Sequence, residues 1–556
     1  MSEQFFGSFV LVLHTHLPLA LKHDRMDEEW IFEGAAETYI PLLNIFNRLV
    51  KEGISPKVTI GLSPVLAEQL VHPHFIHGFK EYCQSKIDYA QKDEKEFESG
   101  NPLMAELARG WQKFYTKTLS YFKERYQENL INAFKILQDD GHIEIMSCAA
   151  THPYLPALSE DTSIQAQVKM AVKSYQRLFG TAPQGMWLPE CGYRPPGQWQ
   201  NPVPARHDEP PRRRKGLEEF LSENGIAYFV VDDHQLQKAF PPDLNKTPFD
   251  TYFVSGAQIP KQPVTIFARD TGLSVQVWRH QVGYPGDGVY LDFHKKHAAG
   301  RLRYWKITAA DLDLAYKQIY YPDDALKYRV PEHAGHYKWL IKESLKANFY
   351  NTGRAKLAMT AFDTELFGHW WFEGPLWLYN VIKWINQDPE IDMCTCREYV
   401  KRDPAFNFVA LPESSWGNHF DSSTWINPEV YWVLDRVHQA EHEIKRLAEE
   451  FAFHQDDATL RRILDHAVRE LLFLQASDWE FMITNWSTRD HAERRVVEHF
   501  EDFKRVVKMA WDYGHGRPVP QSDWDYLSSL EYCREIFPDP DIAWYAGLQA
   551  PRVSGG

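Results

Sequence analysis

Short apolar runs recur along the first part of the chain, each closed by a cluster of polar residues. They span 8–13 (SFVLVL), 57–62 (KVTIGL), 142–149 (HIEIMSCA), 185–188 (GMWL), 226–231 (IAYFVV), 264–268 (VTIFA) and 355–362 (AKLAMTAF). Continuous apolar runs of this length, rich in β-branched and aromatic residues, read as strands buried on both faces. The run 273–278, ending at Trp278, is a further strand candidate. Between the runs lie stretches with apolar residues near a 3.6 period, the clearest at 28–50. Strands alternating with helices predict an α/β domain with a parallel, barrel-like sheet.

Two regions break the alternation. From about 74 to 140 the chain turns polar and Lys/Glu/Gln-rich with helical spacing, an inserted helical subdomain with Gly100-Asn101-Pro102 as its internal turn. Beyond about 404 the strand runs stop. Asn427-Pro428-Glu429 opens a helix expected to reach about 453, and two more follow at 458–475 and 489–513. The division expected is an α/β unit over 1–403 and an all-α unit over 404–556, with Ser554-Gly555-Gly556 frayed. Residues 201–214 read as a solvated Pro/Arg-rich loop, and 283–288 as a tight turn.

A formal net charge of −15 argues against nucleic-acid and anionic-membrane partners, since both require a basic face. No apolar run approaches the length of a membrane span. Few cysteines in a long chain, with no signal peptide, lead to the expectation of a soluble cytoplasmic protein with reduced thiols. The 19 tryptophans are the compositional oddity; flat rings with a polar edge suit sugar faces and interfaces as well as cores.

Polar clusters close five of the strand runs: His14/His16, His152, Glu190, Asp233/His234 and Asp363. A barrel gathers such ends on one face. One glutamate and one aspartate of that set could supply the two carboxyl groups that glycosyl transfer needs, one as nucleophile and one as proton donor; the competing reading makes Asp363 a helix cap. His14-Thr15-His16, with His152 and Asp233, could bind a metal, could hydrogen-bond sugar hydroxyls, or could be satisfied in the core. Trp278, Trp370, Trp416 and Trp425 lie near these clusters, the last two in a Gly/Ser/Asn-rich loop.

The motifs His14-Thr15-His16-Leu17-Pro18, Gly61-Leu62-Ser63-Pro64, Trp187-Leu188-Pro189-Glu190-Cys191-Gly192-Tyr193, Phe362-Asp363-Thr364-Glu365-Leu366-Phe367-Gly368-His369-Trp370-Trp371, Glu413-Ser414-Ser415-Trp416-Gly417 and Ala476-Ser477-Asp478-Trp479 are distinctive. On them the chain resembles glycoside hydrolase family 57, and within it the 1,4-α-glucan branching enzymes. The resemblance implies an incomplete (β/α)7 barrel with an inserted helical subdomain and a C-terminal helical domain over the cleft. It implies a retaining mechanism with Glu190 as nucleophile and Asp363 as general acid/base. His14 and His16 would line the donor sugar site with no metal or cofactor, and Trp278, Trp416 and Trp425 the glucan groove. His152, Asp233, Arg279, His369, Trp370 and Asp478 complete the expected substrate-binding set. The implied partner is an α-1,4-glucan such as amylose, amylopectin or glycogen, as donor and acceptor, handled by a monomer or small homo-oligomer.

One stretch departs from the family pattern. The loop Gln235-Leu236-Gln237-Lys238-Ala239-Phe240-Pro241-Pro242 carries Phe240 where branching members resemble one another in a tyrosine over the cleft. An α-amylase-like hydrolase or 4-α-glucanotransferase is therefore the nearest alternative. A metal-dependent deacetylase using His14, His16 and an aspartate, and a non-catalytic glucan-binding protein, are the more distant ones.

Overall fold

The computed structural model describes residues 4–256, 262–279, 283–309, 311–452 and 456–547, so the tail at 554–556 lies outside the described residues. Seven parallel strands occupy the expected runs: β1 (Gly7–Thr15), β2 (Val58–Leu62), β3 (Ile143–Cys148), β4 (Gly185–Trp187), β5 (Tyr228–Asp232), β6 (Thr265–Arg269) and β7 (Lys356–Asp363). Their order is β7-β1-β2-β3-β4-β5-β6. Between the two ends, Asp270 N–H donates to Met359 O at 2.8 Å, but no ladder joins β6 to β7 among the described residues. The result is an incomplete (β/α)7 barrel. Every residue of β1 is buried, as a strand covered on both faces must be.

The candidate strand at 273–278 is instead the helix Thr271–Trp278. Asp270 Oδ1 accepts the Leu273 N–H at 3.0 Å, a side-chain cap that starts a helix. Leu273, Ser274 and Val277 are buried at helical spacing while Val275 is exposed.

The polar stretch folds as helices Pro73–Phe97, Pro102–Ser120 and Leu130–Asp139, with Asn101 Oδ1 capping the second through the Met104 N–H at 3.2 Å. The first C-terminal helix is Tyr431–Phe451, starting later than expected because Asn427 Oδ1 accepts the Glu429 N–H at 2.9 Å and holds a turn there. Ala458–Leu474, Asp478–Thr484, Arg489–Gly514 and Gln521–Cys533 follow. Their apolar faces share one core with β4–β6 and with the segment that joins β3 to β4: Val433, Val437, Leu471 and Val496 belong to it with Met186, Phe229 and Ile266, and with Leu155, Ile164 and Val168. Ser477 N–H donates to His152 O at 3.0 Å, which seats the start of Asp478–Thr484 over the barrel mouth. Among the described residues no helix is long and apolar enough to cross a membrane.

Candidate active site

A cleft of about 660 Å³ opens at the C-terminal ends of the strands, and His14, His16, His152, Glu190 and Asp363 all line it. Register explains part of this convergence. Residues of parallel neighbours that share a register position lie side by side, and β1 and β7 pair from Gly7↔Lys356 to His14↔Asp363. The same rule brings Asp232 of β5 beside Arg269 of β6, where Arg269 Nε donates to Asp232 Oδ2 at 3.1 Å.

Glu190 leaves β4 on the single turn Pro189–Cys191. Its backbone is left-handed (φ 60°, ψ 23°), and Cys191 follows at φ 49°. For a residue with a Cβ this costs about 1–3 kcal/mol, a strain that clusters at functional sites. Trp416 holds the residue twice: its N–H donates to Glu190 O at 2.9 Å, and its indole Nε1 to Glu190 Oε2 at 2.6 Å. The side chain keeps 16% exposure at the cleft wall, with His152 Nδ1 3.9 Å from the other carboxylate oxygen. Burial pushes the Glu190 carboxyl up to about 8; the indole bond opposes this, and the nearby Asp363 and Asp478 charges add to it.

Asp363 ends β7 and is pushed up to about 7 by burial, with His16 and Arg269 pulling the other way. Glu365, two residues on, also lines the cleft and accepts the Tyr39 hydroxyl at 2.6 Å. Burial raises it to about 8, the Tyr39 bond opposes, and Asp363 adds to the rise. Carboxyl groups held this high retain protons near neutral pH, so the site can keep one acid protonated beside one ionised partner.

The three histidines form a stack. His14 lies on Trp187 with centroids 4.7 Å apart, and His16 lies on His152 at 4.0 Å. His14 Nε2 meets His152 Nε2 at 2.9 Å, and His152 Nδ1 meets Ser477 Oγ at 3.0 Å. Burial, then neighbouring imidazoles, holds both His14 and His152 well below the usual histidine range, so both are neutral. His16 bridges Ser63 Oγ at 2.9 Å and Asp478 Oδ2 at 3.0 Å. His16, His152 and Asp478 have ligand atoms within 4.8 Å of one another and are the cleft residues that could take a cation. Their nitrogens and carboxylate are already engaged in this polar network, a surface also suited to sugar hydroxyls.

Trp278, Arg279, Trp370, Trp416, Trp425 and Asp478 line the cleft too, with Trp278 46% and Trp370 42% exposed. Trp425 differs from a platform: it is 1% exposed and stacked on Tyr154 at 4.6 Å, so it supports the wall. Three expected residues do not line the cleft. Asp233 starts the short helix Asp233–Gln237 and accepts from Gln237 Nε2 at 3.0 Å, while its neighbour Asp232 takes the inward position beside Arg269. His369 turns toward Glu33, 3.6 Å away, on the far side of the Gly368-His369-Trp370 loop. Phe240 is 68% exposed, and its backbone pairs with Ala410 rather than covering the cleft.

Arg269, Glu365, Phe481 and Asn485 line the cleft without having been singled out. Arg269-Asp270 closes a strand run as the other polar clusters do, which was the available signal. Phe481 and Asn485 follow Asp478 at spacings of three and seven, the same face of a helix.

Two strand-end carboxyl groups in one aromatic cleft, at the C-terminal mouth of an α/β barrel, define a glycoside-processing enzyme. The glycosyl hydrolase family 57 pattern matches residues 10–412, and that of the C-terminal region of 1,4-alpha-glucan branching enzymes matches residues 436–545. The chain belongs to glycosyl hydrolase family 57, among its 1,4-α-glucan branching enzymes. It is 36% identical to a 1,4-alpha-glucan branching enzyme of Thermococcus kodakarensis, over 98% of this chain and 80% of that one. The crystal structure of a branching enzyme of this family from Pyrococcus horikoshii superposes with a TM-score of 0.90 at 34% identity, covering 99% and 98% of the two chains. An alpha-amylase of Thermotoga maritima superposes at 0.82 with 27% identity, covering 97% and 99%.

Proposed function

We propose that Glu190 and Asp363 carry the branching reaction, by double displacement on an α-1,4-glucan. Glu190 attacks the anomeric carbon of the donor chain, and the bond to the leaving 4-oxygen breaks as Asp363 protonates that oxygen. The transferred chain is then held on Glu190 as a glycosyl ester. Asp363, now ionised, takes the proton of a 6-hydroxyl on a second chain. That oxygen attacks the same carbon, Glu190 leaves, and an α-1,6 linkage remains with the anomeric configuration retained.

The observation that carries this assignment is the environment of Glu190, aimed into the cleft on a strained turn with one oxygen fixed by the Trp416 indole at 2.6 Å. The Trp416 N–H favours the ionised form a nucleophile needs, but burial raises Glu190 to about 8 and Asp363 to about 7, so the division of roles rests on the placement of Glu190 and not on the order of the two titrations. The neutral His14–His152 pair and the His16–Asp478 pair are suited to hold hydroxyls of the donor sugar beside Glu190. The five buried cysteines among six free thiols support a reducing, cytoplasmic setting. A monomer or small homo-oligomer is the assembly we assign, to be checked by sedimentation.

The test is amylose incubated with the pure protein, counting new reducing ends and, after enzymatic debranching, the α-1,6-linked side chains. Branches with few new reducing ends are expected. Reducing ends without branches would overturn the reading in favour of a hydrolase. Loss of activity on chelation would instead favour a metal held by His16, His152 and Asp478.

A further inference from the structure

Trp486 stands just beyond the cleft-lining segment Asp478–Asn485 and is 72% exposed, an unusual position for the largest apolar side chain. It does not hang free. Its backbone is left-handed at φ 54°, and the Arg489 guanidinium sits over its ring, 4.4 Å from the centroid. Arg489 is itself fixed by two carboxylates, Glu429 Oε2 and Glu493 Oε1, each at 2.7 Å. A cation on one ring face, held by two ion pairs, braces the indole and leaves the remaining ring surface to solvent.

The braced ring also lies at a junction. Thr484 Oγ1 donates to Thr424 O at 2.8 Å and accepts from Asn427 Nδ2 at 2.9 Å, tying the 478–485 segment to the 424–429 loop. Both segments line the cleft, through Phe481 and Asn485 on one side and Thr424 on the other. Trp486 follows two residues after that tie and one after the cleft-lining Asn485. A rigid, exposed indole at the mouth of a sugar cleft offers a flat apolar face to the C–H side of a pyranose, and the neighbouring polar groups suit its hydroxyls.

We propose that Trp486 is the platform of an outer glucan subsite, which stacks a glucosyl unit of an α-1,4-glucan several residues away from the bond being cleaved. The proposal rests on the reading of the cleft as a glucan site. Branching uses long chains, and a subsite outside the inner cleft discriminates them from short oligosaccharides without touching the reacting atoms.

The experiment compares the full-length protein with Trp486→Ala and Trp486→Phe, by affinity electrophoresis in amylose gels and by calorimetry with maltotriose. Trp486→Ala weakens amylose binding about three- to tenfold, the worth of one stacked ring. Trp486→Phe, which keeps a ring, restores most of it, and maltotriose binding is the same in all three. Unchanged amylose binding in Trp486→Ala, or equal losses for amylose and maltotriose, overturns the proposal. Should Trp486→Ala fail to fold, Arg489→Leu removes the brace instead, and amylose binding equal to wild type overturns it likewise. These measurements do not depend on the product. A protein that makes no α-1,6 branches yet loses amylose binding in Trp486→Ala would sink the catalytic reading alone.

Discussion

At the scale of single residues, Trp416 touches both the cleft wall and the proposed nucleophile. Its ring lines the groove, as read from its loop, but its indole N–H also ends on Glu190 Oε2 at 2.6 Å. Trp416→Phe keeps the ring and removes that donor. A hydrogen bond to a charged group contributes about 1.5–3 kcal/mol, so turnover falls by about 10- to 150-fold while the KM for amylose moves much less. Because the lost bond had favoured the ionised form, the acid limb of the pH profile moves to higher pH. The sign reverses for Asp363→Asn. The Asp363 charge raises Glu190, so a neutral amide lets the Glu190 pKa fall from about 8, and the acid limb moves to lower pH. Rates of glycosyl-enzyme formation with an activated donor, whose leaving group needs no proton, measure this shift. With amylose the same variant loses about 10²- to 10⁴-fold in turnover.

At the scale of elements, the loop after β7 shows how a turn aims a ring into the cleft. Gly368 has φ 126°, and a Cβ there would lie 1.9 Å from Glu37 O. His369 N–H donates to Thr38 Oγ1 at 3.0 Å, and Arg303 Nη1 donates to His369 O at 3.0 Å. Arg303 in turn pairs with the buried Glu37. These bonds turn His369 away and leave Trp370 facing the cleft. Gly368→Ala forces the loop off the Glu37 backbone: the melting temperature drops, and the KM for amylose rises as Trp370 moves. Calorimetric melting and steady-state kinetics check both, and a variant with wild-type melting and KM would contradict the account.

At the scale of the whole molecule, the C-terminal helices are part of the structure that makes the cleft. They share a core with β4–β6, and Asp478, which bonds His16, directly follows Ser477, whose N–H is bonded to His152 O. Ending the chain after Arg402 exposes Leu155, Ile164 and Val168 and removes Asp478, Phe481 and Asn485 from the cleft. Such a truncation yields an insoluble or non-cooperatively unfolding product with no activity, checked by solubility and thermal melting. A soluble, cooperatively melting 1–402 fragment would show that the two parts are separable.

The seven barrel strands and the polar clusters at their ends, with Glu190 and Asp363 among them, were legible in the chain itself. Burial on both faces of a parallel strand leaves a continuous apolar run, and the mouth of the barrel puts polar residues at its end. Periodicity alone could not separate strand from helix at 273–278, because six residues fit both spacings; the Asp270 cap decides it. Which of two adjacent aspartates faces inward was likewise beyond a linear reading. Asp232 does so because the β5–β6 register sets it beside Arg269. That Trp425 is buried against Tyr154, Phe240 turned outward and Trp486 exposed on an arginine brace depends on residues far apart along the chain. Strand identity is a local property of the sequence, whereas the direction a loop side chain takes is set by long-range hydrogen bonds and packing, which only the folded chain supplies.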